Sequence, residues 1–106
     1  MIRLSVMYPN TEGTTFDWNY YLGPHVVLAR KLLLPLGLVR LEIDRAIGTF
    51  PPEAPTPYYA VGHLFFPTLQ VLQDALALTS AQLIADQSNY YSATSVVQIS
   101  EVIEAA

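Results

Sequence analysis

Four runs of alternating side chains and two longer tracts of helical spacing follow one another in the order β-α-β-β-α-β. That order constrains the fold more than any single residue does. The first run, 2–8, puts Ile2, Leu4, Val6 and Tyr8 on one face and Arg3, Ser5 and Met7 on the other. Residues 38–48 alternate Val39, Leu41 and Ile43 with Arg40, Glu42 and Asp44, the pattern of a strand with one solvated face or of a charged edge strand. Residues 58–66 are apolar on both faces, as a central strand requires. The last run, 95–103, sets Val97, Ile99 and Ile103 against Gln98 and Ser100, with Val96 and Val102 on the latter face. Antiparallel pairing of these strands, with both helices on one face, is the ferredoxin-like βαββαβ sandwich of the α+β class.

The helical tracts carry recognisable ends. Thr14 or Thr15 can cap the first, 16–34, with Asp17 in its first turn where the helix dipole favours a negative charge. Pro24 has no N–H to give to Tyr20, so a break at Gly23-Pro24 and a second segment starting there are expected. Thr68 caps the second tract, and Thr79-Ser80-Ala81-Gln82 has the form of a capping box that restarts the helix. Residues 86–91 read as a polar, aromatic loop, and 49–57, with Pro51, Pro52, Pro55 and Pro57, as an exposed one.

A chain of 106 residues makes one domain, 1–106. Its residues are 52% hydrophobic and only 13% charged. So small a domain has too much surface to bury that much apolar material alone. The sheet face without helices is therefore expected to pair with a second copy, as a homodimer, and a small hydrophobic ligand is expected inside. The five basic residues, in a chain of net charge −4, form no run, which argues against nucleic acid as a partner. There is no cysteine, no apolar run of membrane-spanning length and no phosphate-cradling glycine loop. With a strand beginning almost at Met1, neither a cleaved leader nor a membrane partner is expected, and the location expected is cytoplasmic. No cofactor is expected.

Chemistry, if any, concentrates in 16–25, where four aromatic rings, Asp17 and His25 stand together. Trp18, Tyr21 and His25, at i, i+3 and i+7, share a helix face. A histidine in a cleft at that face suits general acid–base work, with Asp17 orienting it; the alternative is a core histidine tied to a carbonyl or to Asp17. His63 lies mid-strand beside Gly62, placed either to meet a ligand or to face a second copy. No third ligand has local spacing to the two histidines, so no metal site is expected, and no Ser-His-Asp set assembles from local spacing. Tyr8, Asn10, Tyr20, Tyr21, Asn89 and Tyr90 are polar-tipped groups near element ends, suited to orienting a phenolic or carbonyl ligand. Of the tyrosines, Tyr20 and Tyr91 read better as packing residues.

Several pieces of the chain resemble the EthD family of the dimeric α/β-barrel superfamily. They are Tyr8-Pro9-Asn10, Phe16-Asp17-x-x-Tyr20-Tyr21-x-x-x-His25, Asp44-Arg45, Gly62-His63-Leu64 and Gln98-Ile99-Ser100-Glu101-Val102. Gly23-Pro24 stands where that family commonly has polar residues. The resemblance implies a ferredoxin-like protomer dimerising sheet on sheet, with a cavity between sheet and helices. It also implies either a cofactor-free oxidoreductase or isomerase acting on xenobiotic or aromatic compounds, or an accessory protein that binds such a compound for a partner oxygenase. Catalysis would then rest on His25 and Asp17, and ligand binding on Tyr8, Asn10, Trp18, Tyr21, His63 and Tyr90.

Overall fold

The computed structural model describes all residues, 1–106. Strands β1 (Ile2–Pro9), β2 (Arg40–Arg45), β3 (Tyr58–Phe66) and β4 (Val96–Glu101) form one antiparallel sheet in the order β2-β3-β1-β4. The doubly apolar run is β3, which with β1 makes the centre; the charged run β2 is an edge. Helices α1 (Trp18–Tyr20), α2 (Val26–Leu33) and α3 (Leu69–Gln87) cover one face. The fold is the ferredoxin-like α+β sandwich that the element order predicts.

The register puts Val6 opposite Gly62 and Val97, and Leu4 opposite Leu64 and Ile99, so these residues share the helix-facing side. Two cores fill that side. At one end Leu4, Leu33, Leu38, Leu64, Phe66, Leu72 and Ala75 form an aliphatic core. At the other, Tyr8, Tyr21, Ala60, Tyr90 and Tyr91 form an aromatic one. The space between them is the cavity described below.

Three local expectations are corrected. The first helix does not break at Pro24: it widens into one π turn, Tyr21–His25, and runs on into α2. Val26 N–H reaches back five residues to the Tyr21 carbonyl, and Tyr20, Tyr21, His25 and Val26 all stay right-handed helical. A wider turn gives the proline ring room and relieves the carbonyl it cannot bond. Second, the cap is Asp17 itself, not Thr14 or Thr15: its carboxylate accepts from Tyr20 N–H at 3.1 Å. Third, α3 does not restart at Thr79. The Thr79 hydroxyl is buried and donates to the Ala75 carbonyl at 2.8 Å, so it serves the helix interior rather than an end. Asp86 and Gln87 consequently belong to the last turn of α3, not to a loop.

The outer sheet face is less apolar than the alternation suggests. Met7, Val61, Phe65 and Val96 share it with Arg3, Arg40, Glu42, Asp44 and His63, and the Arg40 guanidinium lies 3.8 Å over the Phe65 ring. No helix is long and apolar enough to cross a membrane.

Candidate functional site

Tyr8, at the end of β1, is the hub of the aromatic core. Its ring meets Phe16, Tyr21, Tyr90 and Tyr91 edge-on at centroid distances of 5.2 to 5.5 Å. Such edge-to-face contacts hold rings in fixed orientations, so the hydroxyls at their tips are fixed as well.

Beside this hub lies a cavity of ≈ 210 Å³ between sheet and helices. Leu4, Val6, Leu64, Ala29, Leu76 and Leu83 are among its apolar lining. The polar groups reaching it are Tyr8, Tyr21, His25, Ser80 and Gln87, and no Arg, Lys, Asp or Glu lines it. An apolar cavity of roughly 150 Å³ holds one benzene ring, so this one suits a single substituted ring. An anionic ligand would be stripped of water with no cation to receive it.

His25 is buried at the polar end, its ring stacked on Tyr21 at 5.7 Å. Nδ1 lies 2.8 Å from Asp86 Oδ2, and Nε2 lies 3.1 Å from the Tyr90 hydroxyl. The other Asp86 oxygen accepts from the Tyr20 hydroxyl at 2.7 Å and from Asn89 Nδ2 at 3.0 Å. Desolvation pushes the Asp86 carboxyl up, but the hydrogen bonds from Tyr20, His25 and Asn89 outweigh it and hold the group below its ordinary value. Asp86 is therefore a carboxylate. Tyr90 in turn meets the Tyr8 hydroxyl at 2.7 Å. Burial is the main cause that holds the Tyr8, Tyr21 and Tyr90 hydroxyls well above the usual phenol range.

Tyr8, Tyr21, His25 and Tyr90 thus converge, whereas other residues singled out by sequence lie elsewhere. The carboxylate on His25 is not that of Asp17, which is spent on the helix cap. Asn10 donates to the Thr56 carbonyl at 3.2 Å and ties down the proline loop. Trp18 does not line the cavity; it packs on Phe16 and Tyr21 under the Arg45 guanidinium. Tyr91 is a packing residue whose hydroxyl donates to the Pro9 carbonyl at 2.6 Å. Tyr20 is more than packing, since it holds Asp86. His63 projects from the opposite side of the sheet, so it is not a ligand contact in this cavity. There the strands assemble what local spacing does not: Ser5 Oγ lies 3.1 Å from His63 Nδ1, and Asp44 Oδ2 lies 2.8 Å from Nε2. Ser5 is buried within the sheet, so this row pins the imidazole rather than presenting a nucleophile.

No family model and no curated protein matches the chain. Solved structures do. An EthD-like protein from Ralstonia eutropha JMP134 superposes with a TM-score of 0.88 at 27% identity, over 97% of this chain and 92% of that one. The chain is similar to an EthD-like protein over nearly its whole length. An ethyl tert-butyl ether (EthD) family protein from Bacillus halodurans C-125 shares its fold with a TM-score of 0.77 at 20% identity, over 97% and 99% of the two chains. A more distant antibiotic biosynthesis monooxygenase, 12% identical with a TM-score of 0.51, covers 98% of this chain and all of its own. Within this EthD-like fold the cavity, with its hydroxyls and His25–Asp86 pair, is the feature suited to a small molecule.

Proposed function

We propose that this EthD-like chain binds a small neutral metabolite, a single ring or a compact aliphatic, in the helix–sheet cavity and moves a proton on it. His25 is the group that takes up or returns the proton, and Asp86 is its partner. The observation that carries this reading is a buried histidine–carboxylate pair at the polar end of a cavity that no Arg, Lys, Asp or Glu lines. The reaction class is a cofactor-free oxidation or an isomerisation in the breakdown of xenobiotic or aromatic compounds. The names of the Bacillus relative and of the monooxygenase support that class. A second reading, a non-catalytic carrier for a partner oxygenase, is favoured by one fact: neither nitrogen of His25 is free to touch a ligand.

A thermal-shift panel followed by turnover assays tests both. At a free concentration near 100 Kd a true ligand stabilises by about 2.7 kcal/mol. Neutral phenols, quinols and lactones are expected to raise Tm by roughly 10 °C or more on that scale, and benzoates to leave it unchanged. If no neutral ring shifts Tm, the cavity reading fails. Ligands that bind but are never turned over, by wild type or by His25→Ala, establish the carrier instead.

The open sheet face supports a further proposal, a homodimer packed sheet on sheet. Met7, Val61 and Val96 lie on that face, and a second copy packed there covers them. Sedimentation at micromolar concentration is expected to return twice the mass of one chain. A monomer at that concentration overturns the proposal.

A further inference from the structure

If His25 serves a ligand, it does so at a distance, because both of its nitrogens are engaged. The directions of these hydrogen bonds follow from charge. Asp86 is a carboxylate and only accepts, so His25 Nδ1 carries the proton between them. In the neutral imidazole, the form able to take up a proton, Nε2 is the acceptor and the Tyr90 hydroxyl 3.1 Å away donates to it. Tyr90 has now used its only proton, so at 2.7 Å it accepts from the Tyr8 hydroxyl. Tyr8 lines the cavity and gives its proton to Tyr90, so its oxygen keeps the capacity to accept from a ligand. The whole row is set to accept a proton from the cavity.

We propose that Tyr8 and Tyr90 form a hydroxyl relay through which His25 withdraws a proton from a phenolic or enolic O–H bound in the cavity. The proposal rests on the cavity reading above and names its substrate class: a neutral ring or enol bearing an acidic hydroxyl. The ligand O–H bond breaks as its proton passes to Tyr8 Oη. The Tyr8 proton passes to Tyr90 Oη, and the Tyr90 proton to His25 Nε2. Both tyrosines end as neutral phenols, the ligand carries the negative charge, and the imidazolium carries the positive one against Asp86. No oxidant or reductant is consumed. Tyr8, holding the proton it has just received, points it at the new oxyanion, and the Tyr21 hydroxyl lies over Gly62 on the same cavity wall. Burial makes phenolate costly on either tyrosine, so the relay conducts the proton and does not store charge. Tyr8 touches the ligand; Tyr90 acts through Tyr8 and His25 and is a positioning residue.

The probe is 4-nitrophenol, whose ionised form absorbs at longer wavelength, combined with 15N NMR of the His25 ring. In wild type, binding is expected to turn the bound probe towards phenolate and to convert His25 Nε2 from an unprotonated to a protonated nitrogen. Tyr90→Phe keeps the ring but cuts the relay. It is expected to bind within about threefold of wild type while the ionised fraction falls at least about tenfold, near 1.4 kcal/mol. Should Tyr90→Phe fail to fold, Tyr8→Phe makes the same cut one step nearer the ligand. If the variant still ionises the probe and protonates His25, the relay is wrong and the cavity reading stands. The same holds if wild type binds the probe and neither signal moves. If wild type does not bind 4-nitrophenol at all, the cavity reading fails for phenols and the relay falls with it.

Discussion

Asp86→Asn is expected to lower turnover of any substrate the cavity accepts by roughly 10²–10⁴-fold, the range seen when a carboxylate that orients a catalytic histidine becomes an amide. Affinity is expected to change by no more than about threefold, because Asp86 does not line the cavity. The reason is directional. A carboxylate forces the proton onto Nδ1, while an amide can donate to Nδ1 and leave the proton on Nε2, where it points at Tyr90 and opposes the relay. The 15N spectrum of His25 reads that tautomer independently of activity. Folding also suffers, by about 1–3 kcal/mol, since Tyr20, Asn89 and His25 all lose a charged acceptor.

The same variant has a pH signature with a definite sign. The folded-state carboxyl of Asp86 lies below its ordinary value, so on acidification the unfolded chain takes up its proton first. The stability this contributes is fully present above about pH 4, the ordinary aspartate range. It is lost as pH falls through the lower folded-state value. Asp86→Asn is expected to flatten that part of the acid limb in chemical denaturation. An unchanged limb, with turnover also unchanged, would show that Asp86 does not hold His25.

Asp86 was within reach of the sequence. Leu72, Leu76, Thr79 and Leu83 continue at helical spacing to Asp86, so a carboxylate sits at the end of an inward stripe. Reading Thr79-Ser80-Ala81-Gln82 as a capping box interrupts that stripe and turns Asp86 into a loop residue. Asp17, by contrast, is near His25 in sequence, and sequence proximity made it the natural partner. Only tertiary packing shows that α3 supplies the carboxylate. The strands were legible because period-two alternation is a local property, and β3 declared itself central by being apolar on both sides. The π turn was half legible: Pro24 signals that a regular helix is impossible, but whether the chain breaks or widens depends on what Tyr21 and His25 are packed against. Both are buried here, against the aromatic core and the cavity, and that burial holds the turn together. The Tyr8–Tyr90 contact joins residues 82 apart in the chain, and no local pattern announces it.

Gly62→Leu is expected to abolish ligand binding, by at least about 10²-fold, and Gly62→Ala to separate the two reasons why. A glycine in the middle of a central strand is ordinarily a weakness. Here a Cβ at residue 62 would stand 2.8 Å from the Tyr21 hydroxyl, closer than such atoms approach. The Tyr21 ring is held by Tyr8, Phe16, Trp18 and His25, so its tip has little room to retreat. Alanine should therefore cost about 1–3 kcal/mol by overpacking. For a domain of this size that corresponds to a fall in Tm of roughly 4–8 °C per kcal/mol. Its cavity stays open, so binding should weaken only as far as the displaced Tyr21 hydroxyl contributes to it. Leucine adds a branched side chain directed into the ≈ 210 Å³ space and removes the room a ring would occupy. A folded Gly62→Leu protein, verified by its amide spectrum, that bound the ligand as tightly as wild type would mean that the ligand sits somewhere other than this cavity. Weak binding by alanine and none by leucine would instead place it between Gly62, Tyr8 and Tyr21, where the hydroxyl row begins.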